Sequence, residues 1–158
     1  MNGSLQTGIH FGLTSGIITT LGLMVGLHAG THSLLAVVGG ILTIAVADAC
    51  SDALGIHISE EAENVHTVAE VWIATGATFL TKLLMALTFL VPVLLFPLST
   101  AIRVGVVWGL GVLAILSYQL ARAQRTRPWK VIGEHLVIAI AVITLTHLLG
   151  DWVAASFK

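Results

Sequence analysis

The sequence predicts an all-α integral membrane protein that crosses the bilayer with five helices. Hydrophobic residues make up 56% of the 158 residues and charged residues only 9%, whereas a soluble domain carries about 25% charged residues. Such a chain has too few charges to cover a water-facing surface. Its apolar residues also fall into five runs, and each run is close to the roughly 20 residues that one transmembrane helix needs. We therefore expect a multi-pass protein, which lies in the cell membrane if the chain is prokaryotic.

The five runs are separated by short polar turns, so the chain is expected to form one domain over residues 1–158. They cover approximately residues 9–29, 33–58, 71–96, 101–121 and 131–150. The turn before the last run carries a basic cluster: Arg122, Arg125, Arg127 and Lys130. Loops rich in Lys and Arg stay in the cytoplasm. This predicts an N-terminus inside, a C-terminus outside, and a second helix that extends into the cytoplasm.

The first run contains glycines at helical spacing, which let membrane helices approach closely. They are Gly12, Gly16, Gly22, Gly26 and Gly30. We predict tight packing of this helix against another helix, either in the same chain or in a partner subunit. The alternative is that glycine is simply common in membrane helices. Ser15 and Thr19 share one face of the helix and could offer hydroxyls to an ion, although such hydroxyls often bond only their own backbone.

The second run contains two aspartates, Asp48 and Asp52, within its apolar part. A carboxylate at the centre of a membrane helix costs at least about 2.5 kcal/mol, and such residues usually serve a function. The two lie about 40° apart on one helix face, because each residue turns the helix by 100°. The same face continues through Ser51 and Glu63. It predicts a polar stripe that leads out of the bilayer.

The third run contains Lys82, which at that depth needs a carboxylate or a water-filled cavity. Asp48 and Asp52 are the expected partners, so these three residues form either an ion path with a counter-charge or a structural ion pair. Pro92 is expected to kink the outer part of this span.

Further polar residues lie near the span ends. Those at the inner mouth are Glu60, Glu61, Glu63, Glu70 and His66, and we expect them to gather metal cations unless they form a solvated helix end. Those of the last span, Glu134, His147 and Asp151, are candidates for a proton relay, although a polar helix end is the simpler interpretation of the His147 and Asp151 pair.

Two segments resemble the vacuolar iron transporter family. Residues 15–27 read SGIITTLGLMVGL and are similar to the D-G-L-x-T-x-x-x-L-x-x-G pattern of its first span. Residues 47–63 read ADACSDALGIHISEEAE and are similar to A-D-G-x-S-M-A-L-G-x-Y-L-x-x-K-S-E in its second span. The match is carried by the first 63 residues. Beyond them, five spans and a proline in the third agree with the family.

The chain departs from the family at two positions that carry chemistry. Ser15 stands where the family has an aspartate, and Asp52 stands where it has a methionine. The family's cytoplasmic metal-binding domain is also missing, since only residues 64–70 separate the second and third runs. Exchange of sulfur for oxygen shifts preference towards harder ions, such as manganese or iron(II).

The resemblance implies a homodimer that contacts through the first helix and exchanges a divalent transition metal for protons. In that case Asp48 and Asp52 would bind the transported Fe²⁺ or Mn²⁺, with no tightly bound cofactor. A non-transporting membrane subunit or scaffold of the same fold is the alternative. A haem protein would need two histidines at matching depth, such as His28 and His147. The sequence contains no recognisable catalytic motif, so we do not expect an enzyme, and no basic patch large enough for nucleic acid.

Overall fold

The computed structural model describes residues 3–157, which form six helices and no strand. The helices are α1 (Gly3–Thr31), α2 (Leu34–Ala62), α3 (Val68–Thr88), α4 (Leu90–Leu95), α5 (Leu98–Ala123) and α6 (Pro128–Ser156). Because α4 continues the direction of the chain after α3, the two together make one span, Val68–Leu95. The described residues thus contain five helices long and apolar enough to cross a membrane, which confirms the predicted fold class.

The helix ends follow from local capping chemistry. Ser33 accepts a hydrogen bond from the Ala36 amide and begins α2, while Thr67 and Glu70 form a reciprocal capping box at the start of α3. Pro128 occupies the first position of α6, where its missing N–H costs nothing. The helices extend beyond the apolar runs. For example, α1 begins at Gly3 rather than near residue 9, because nothing in its polar first turns breaks a helix.

Three turns between long helices reverse the chain through one left-handed residue each. His32, Asn64 and Arg125 have φ angles of 51°, 53° and 54°. A left-handed residue just after a helix closes its last turn, a position that glycine usually fills. None of the three is glycine, so the left-handed conformation slightly destabilises each turn, but it keeps the connection short.

The third span is broken where the sequence predicts a kink. The break lies at Phe89, three residues before Pro92, which cannot donate the hydrogen bond that would satisfy the Thr88 carbonyl. The Thr88 hydroxyl donates to the Met85 carbonyl and accepts from the Trp108 indole N–H at 3.0 Å. These two bonds join the broken segment to α5.

Helix α1 lies at the centre of the bundle and packs against α2, α3, α5 and α6. One ridge of α1, formed by Gly8, Gly12 and Gly16, lies against α3. A Cβ on Gly12 would meet the Thr78 carbonyl oxygen at 2.6 Å, so only glycine permits this approach. The predicted close packing at these glycines is therefore present within the chain.

The second glycine ridge of α1, formed by Gly22, Gly26 and Gly30, lies against α6. The approach is closest at Gly150, where an added Cβ would lie 2.4 Å from the Gly26 carbonyl oxygen. Both ridges thus have a partner helix inside the subunit.

The outer surface of the bundle is apolar, as a bilayer requires. Large hydrophobic side chains are exposed on every long helix, among them Leu35, Leu54, Leu80, Val107 and Leu145. The buried core is small and receives residues from all six helices, around Leu21, Met24 and Phe89. Lys82 is among the largest fully enclosed side chains of the described residues.

Candidate functional site

The most unusual local environment is that of Lys82. Its side chain is only 2% exposed, and its ammonium nitrogen contacts three oxygens from two other helices. Nζ lies 2.5 Å from Asp48 Oδ2 and 2.8 Å from Ser15 Oγ, and it also contacts Asp52 Oδ2. We refer to Ser15, Asp48, Asp52 and Lys82 as the Lys82 cluster. It joins α1, α2 and α3.

The helix packing explains why these four residues meet. Asp48 and Asp52 are one helical turn apart on α2, so both point towards the same neighbour. Gly12 and Gly16 bring the backbone of α3 against α1, and a Cβ on Gly16 would lie 3.2 Å from the Lys82 carbonyl oxygen. The glycine ridge therefore places Lys82 beside Ser15.

The cluster lies deep in the predicted membrane region. Asp48 is fourteen residues from each end of α2, which corresponds to about 21 Å at 1.5 Å per residue. Charges at this depth are stable only when they are paired or hydrated. If both carboxylates are ionised, one ammonium balances only half of their charge.

The two aspartates are held unequally. Asp52 Oδ2 accepts a hydrogen bond from Ser15 Oγ at 2.6 Å and another from Lys82 Nζ. Asp48 Oδ2 is close to Nζ, but the angles do not form a hydrogen bond, and no other described group donates to this buried oxygen. Asp52 is thus the anchored carboxylate, and Asp48 retains capacity for another ligand.

Asp48 also borders an open groove between α1 and α2. The groove has a volume of about 620 Å³ and is lined by Leu23, Leu27, Ala36, Gly40, Thr43, Ile44, Ala47, Asp48 and Ser51. The Asp48 side chain is 26% exposed and that of Asp52 is 20% exposed. The carboxylates are therefore accessible, whereas the ammonium between them is enclosed.

The other two residues predicted for the ion path lie near the cluster without joining it. The Thr19 hydroxyl donates to the Ser15 carbonyl at 2.9 Å, so it bonds its own helix. Ser51 is exposed and lines the groove next to Asp48. Thus the structure brings together Ser15, Asp48 and Asp52 with Lys82 and leaves Thr19 outside.

The acidic residues predicted at the inner mouth separate into different environments. His66 Nε2 lies 3.4 Å from both Glu60 and Glu63, and its Nδ1 lies 3.4 Å from the Ser4 hydroxyl. Glu60 is only 6% exposed. Because His66 contacts both Glu60 and Ser4, it links the end of α2 to the start of α1. Glu70 instead caps α3 through Thr67.

Glu61, the remaining acidic residue of this set, is exposed and borders a cavity of about 330 Å³ beside Asn64 and His66. Among residues 3–157, no three His, Cys, Asp or Glu side chains are arranged to hold a metal ion.

The proposed relay residues all lie on α6, which packs mainly against α1 and α5. Glu134 is 3.9 Å from Lys130, and His147 is 3.5 Å from Asp151. Both pairs are exposed and lie within one helix. The structure does not bring Glu134, His147 or Asp151 to the Lys82 cluster.

Two polar contacts involve histidines outside the predicted site. The buried Ser117 hydroxyl lies 2.7 Å from His135 Nδ1 and links α5 to α6. His57 Nδ1 lies 2.9 Å from Thr75 Oγ1 and its ring meets the edge of Trp72, which links α2 to α3. A histidine inside an apolar run signals an interhelical bond, but the sequence does not reveal which helix supplies the partner.

Comparison of the chain with protein-family models, with curated proteins and with solved structures gave no match.

Proposed function

We propose that this protein transports divalent transition-metal cations, iron(II) or manganese, across a membrane in exchange for protons. The observation that carries the proposal is the pair Asp48 and Asp52, which lies inside a spanning helix, with Asp48 at the middle of that helix and bordering an open groove. Intramembrane carboxylates of this kind typically mark ion paths and proton relays. The resemblance of residues 15–27 and 47–63 to vacuolar iron transporters supports the same function.

The chemistry of exchange follows from the ligands. Carboxylate and hydroxyl oxygens suit hard or borderline divalent ions such as Mn²⁺. A carboxylate in a poorly solvated site binds either a proton or a metal ion, because it is costly to leave the charge uncompensated. Asp48, which borders the groove and has an oxygen without a hydrogen bond, is the residue that first receives the ion, and Asp52 and Ser15 complete the oxygen ligands.

The inner mouth supports cation entry in this proposal. With the basic turn at Arg122 in the cytoplasm, the acidic turn after α2 lies on the same side. The carboxylates of Glu60, Glu61, Glu63 and Glu70, together with His66, would raise the local concentration of cations there. The polar residues of α6 are not part of the proposed path, since α6 does not pack beside the cluster.

We also propose that the protein acts as a homodimer. Since α3 and α6 occupy the two glycine ridges of α1, the surface that α1 can offer to a second copy is the strip at Leu23 and Leu27. This strip lies between the groove next to α2 and a second groove next to α6, so a partner seated there would cover the groove that leads to Asp48.

A non-transporting subunit or scaffold is the alternative function. It is favoured by one observation, namely that the Lys82 ammonium fills the space between the two carboxylates, as in a structural ion pair. In that case the cluster would only hold α1, α2 and α3 together, and the protein would move no ion.

Flux measurements on purified protein distinguish the two functions. Wild-type protein and the Asp52→Asn variant are reconstituted into liposomes that contain a pH-sensitive dye, and Fe²⁺ or Mn²⁺ is added outside. We expect metal uptake with proton counterflow in the wild type, loss of both in Asp52→Asn, and normal flux in the control Lys130→Gln. Absence of flux for any divalent ion in folded wild-type protein would refute the transport function and leave the scaffold as the function to test.

A further inference from the structure

We propose that the Lys82 cluster is a cation site that the protein closes with its own tethered ammonium. In this view Ser15, Asp48 and Asp52 form a cage for a cation, and Lys82 is its resident occupant. An external divalent cation binds in the cage only when the ammonium leaves it. Lys82 occupies the cage in this way whether or not the protein transports ions.

The geometry around Nζ is that of a bound cation. Oxygens from Ser15 and Asp48 lie 2.8 Å and 2.5 Å away, and Asp52 supplies a third. Charge-assisted hydrogen bonds between an ammonium and an oxygen span about 2.7–2.9 Å, so all three oxygens lie within direct contact of the ammonium. The oxygens come from α1 and α2, whereas the ammonium comes from α3. The cage is thus built by two helices and filled by a third.

The cage and its occupant belong to different helices. The α3 backbone at Lys82 is held against Gly12 and Gly16, but a lysine side chain has four rotatable carbons between the backbone and its charge. Withdrawal of the ammonium therefore requires rotation within one side chain. The oxygens of Asp48 and Asp52 remain in place on α2.

The charge balance predicts which cations compete. With the ammonium in the cage and both carboxylates ionised, the cluster carries one net negative charge, and without it two. A tethered group has an effective concentration in the millimolar range or above, so a cation must bind strongly to replace it. A divalent ion neutralises both carboxylates at once, which favours divalent over monovalent ions.

The test removes the occupant and supplies Mn²⁺ alone. Purified Lys82→Met, Lys82→Arg and wild-type proteins are heated with and without MnCl₂ in detergent, with Lys130→Met as a matched control. At a 100-fold excess over Kd, we expect Mn²⁺ to raise the Tm of Lys82→Met by about 5–10 °C. The Tm of wild type, Lys82→Arg and Lys130→Met should rise much less. All three proteins keep a positively charged side chain at residue 82, and this side chain occupies the cage.

A second variant links the binding to the cage. The Tm response to Mn²⁺ should disappear in the double variant Lys82→Met/Asp52→Asn. An Mn²⁺ response of Lys82→Met no larger than that of wild type would overturn the proposal. If Lys82→Met gives folded protein only when Mn²⁺ is present during purification, that result supports the proposal. Failure to recover it with either Mn²⁺ or propylammonium would refute it.

The outcome is independent of transport. Stabilisation of Lys82→Met by Mn²⁺ in a protein that shows no flux would identify a cation site in a scaffold. Flux in the wild type without such stabilisation would place the transported ion elsewhere.

Discussion

The Lys82 cluster and the last helix use the same types of residue for different purposes. Asp48 and Asp52 are four residues apart, and so are His147 and Asp151. The first pair meets an enclosed lysine from another helix, whereas His147 and Asp151 meet each other and are 54% and 56% exposed. Lys130 and Glu134 form a similar exposed contact at the other end of α6.

The difference shows that burial of a charged side chain depends on which helix packs against it. Glycines on α1 allow α3 to approach, and this approach encloses the ammonium of Lys82. Helix α6 also meets a glycine ridge, but His147 and Asp151 remain more than half exposed there. Loss of one partner of an ion pair is expected to be costly only where a second helix removes the pair from solvent.

The largest effect is expected for Lys82→Met. Removal of one partner from a buried ion pair leaves an uncompensated charge, which costs about 3–5 kcal/mol. The free energy of unfolding in detergent, measured by denaturant titration without metal, should fall by this amount. A triple variant that also carries Asp48→Asn and Asp52→Asn should recover much of the loss, since it removes all of the buried charges. If the single variant Lys82→Met were as stable as the wild type, the cluster would contribute little to the free energy of unfolding.

A smaller effect is expected for the aspartates singly, and the two should differ. Asp52→Asn loses a charged acceptor that holds both Ser15 and Lys82, and a hydrogen bond to a charged group contributes about 1.5–3 kcal/mol. Asp48→Asn should cost less, because its contact lacks hydrogen-bond geometry. The same denaturant titration ranks them, and equal costs would contradict the asymmetry between the two carboxylates.

Ser15→Ala is expected to cost about 1 kcal/mol. The hydroxyl donates to Asp52 and accepts from Lys82, but both charged partners keep each other when it is removed. Thermal unfolding of the purified variant measures this loss. Thr19→Ala serves as the control on the same helix face, and a larger loss there would mean that the backbone bond of Thr19 matters more than the cluster.

The smallest effect is expected on α6. Asp151→Asn and Glu134→Gln should each change the free energy of unfolding by less than about 1 kcal/mol, as exposed pairs usually do. High salt should reduce even this contribution, because exposed charges are screened. A loss as large as that of Asp52→Asn would show that α6 is covered by a partner in the assembled protein.

The sequence predicts most of the fold, because the length and apolar content of a span are local properties. The five spans and the break caused by Pro92 follow from such properties. The pairing of Lys82 with the aspartates was also predictable, since each deep charge demands a partner. The capping box of Thr67 and Glu70 has the T-x-x-E pattern. This pattern predicts that Glu70 caps α3, a role that needs no metal ion.

The remaining features depend on which helices become neighbours, which a single sequence does not reveal. Ser15 joins the cluster and Thr19 does not, although both lie on one face of α1. Likewise, the bond between Ser117 and His135 depends on contact between α5 and α6. The two glycine ridges predict close packing. The glycine pattern does not reveal whether the packed helix belongs to the same chain or to a partner.

The order in which the helices are synthesised gives the second ridge of α1 a further consequence. Gly22 is made early, yet the residue it packs against, Val142, follows roughly 120 residues later. At about 5–20 residues per second, α1 waits on the order of ten seconds in the bilayer before α6 arrives. During this interval the ridge of Gly22, Gly26 and Gly30 has no partner from its own chain. During biogenesis this ridge therefore stays open to other membrane helices until the last span is inserted.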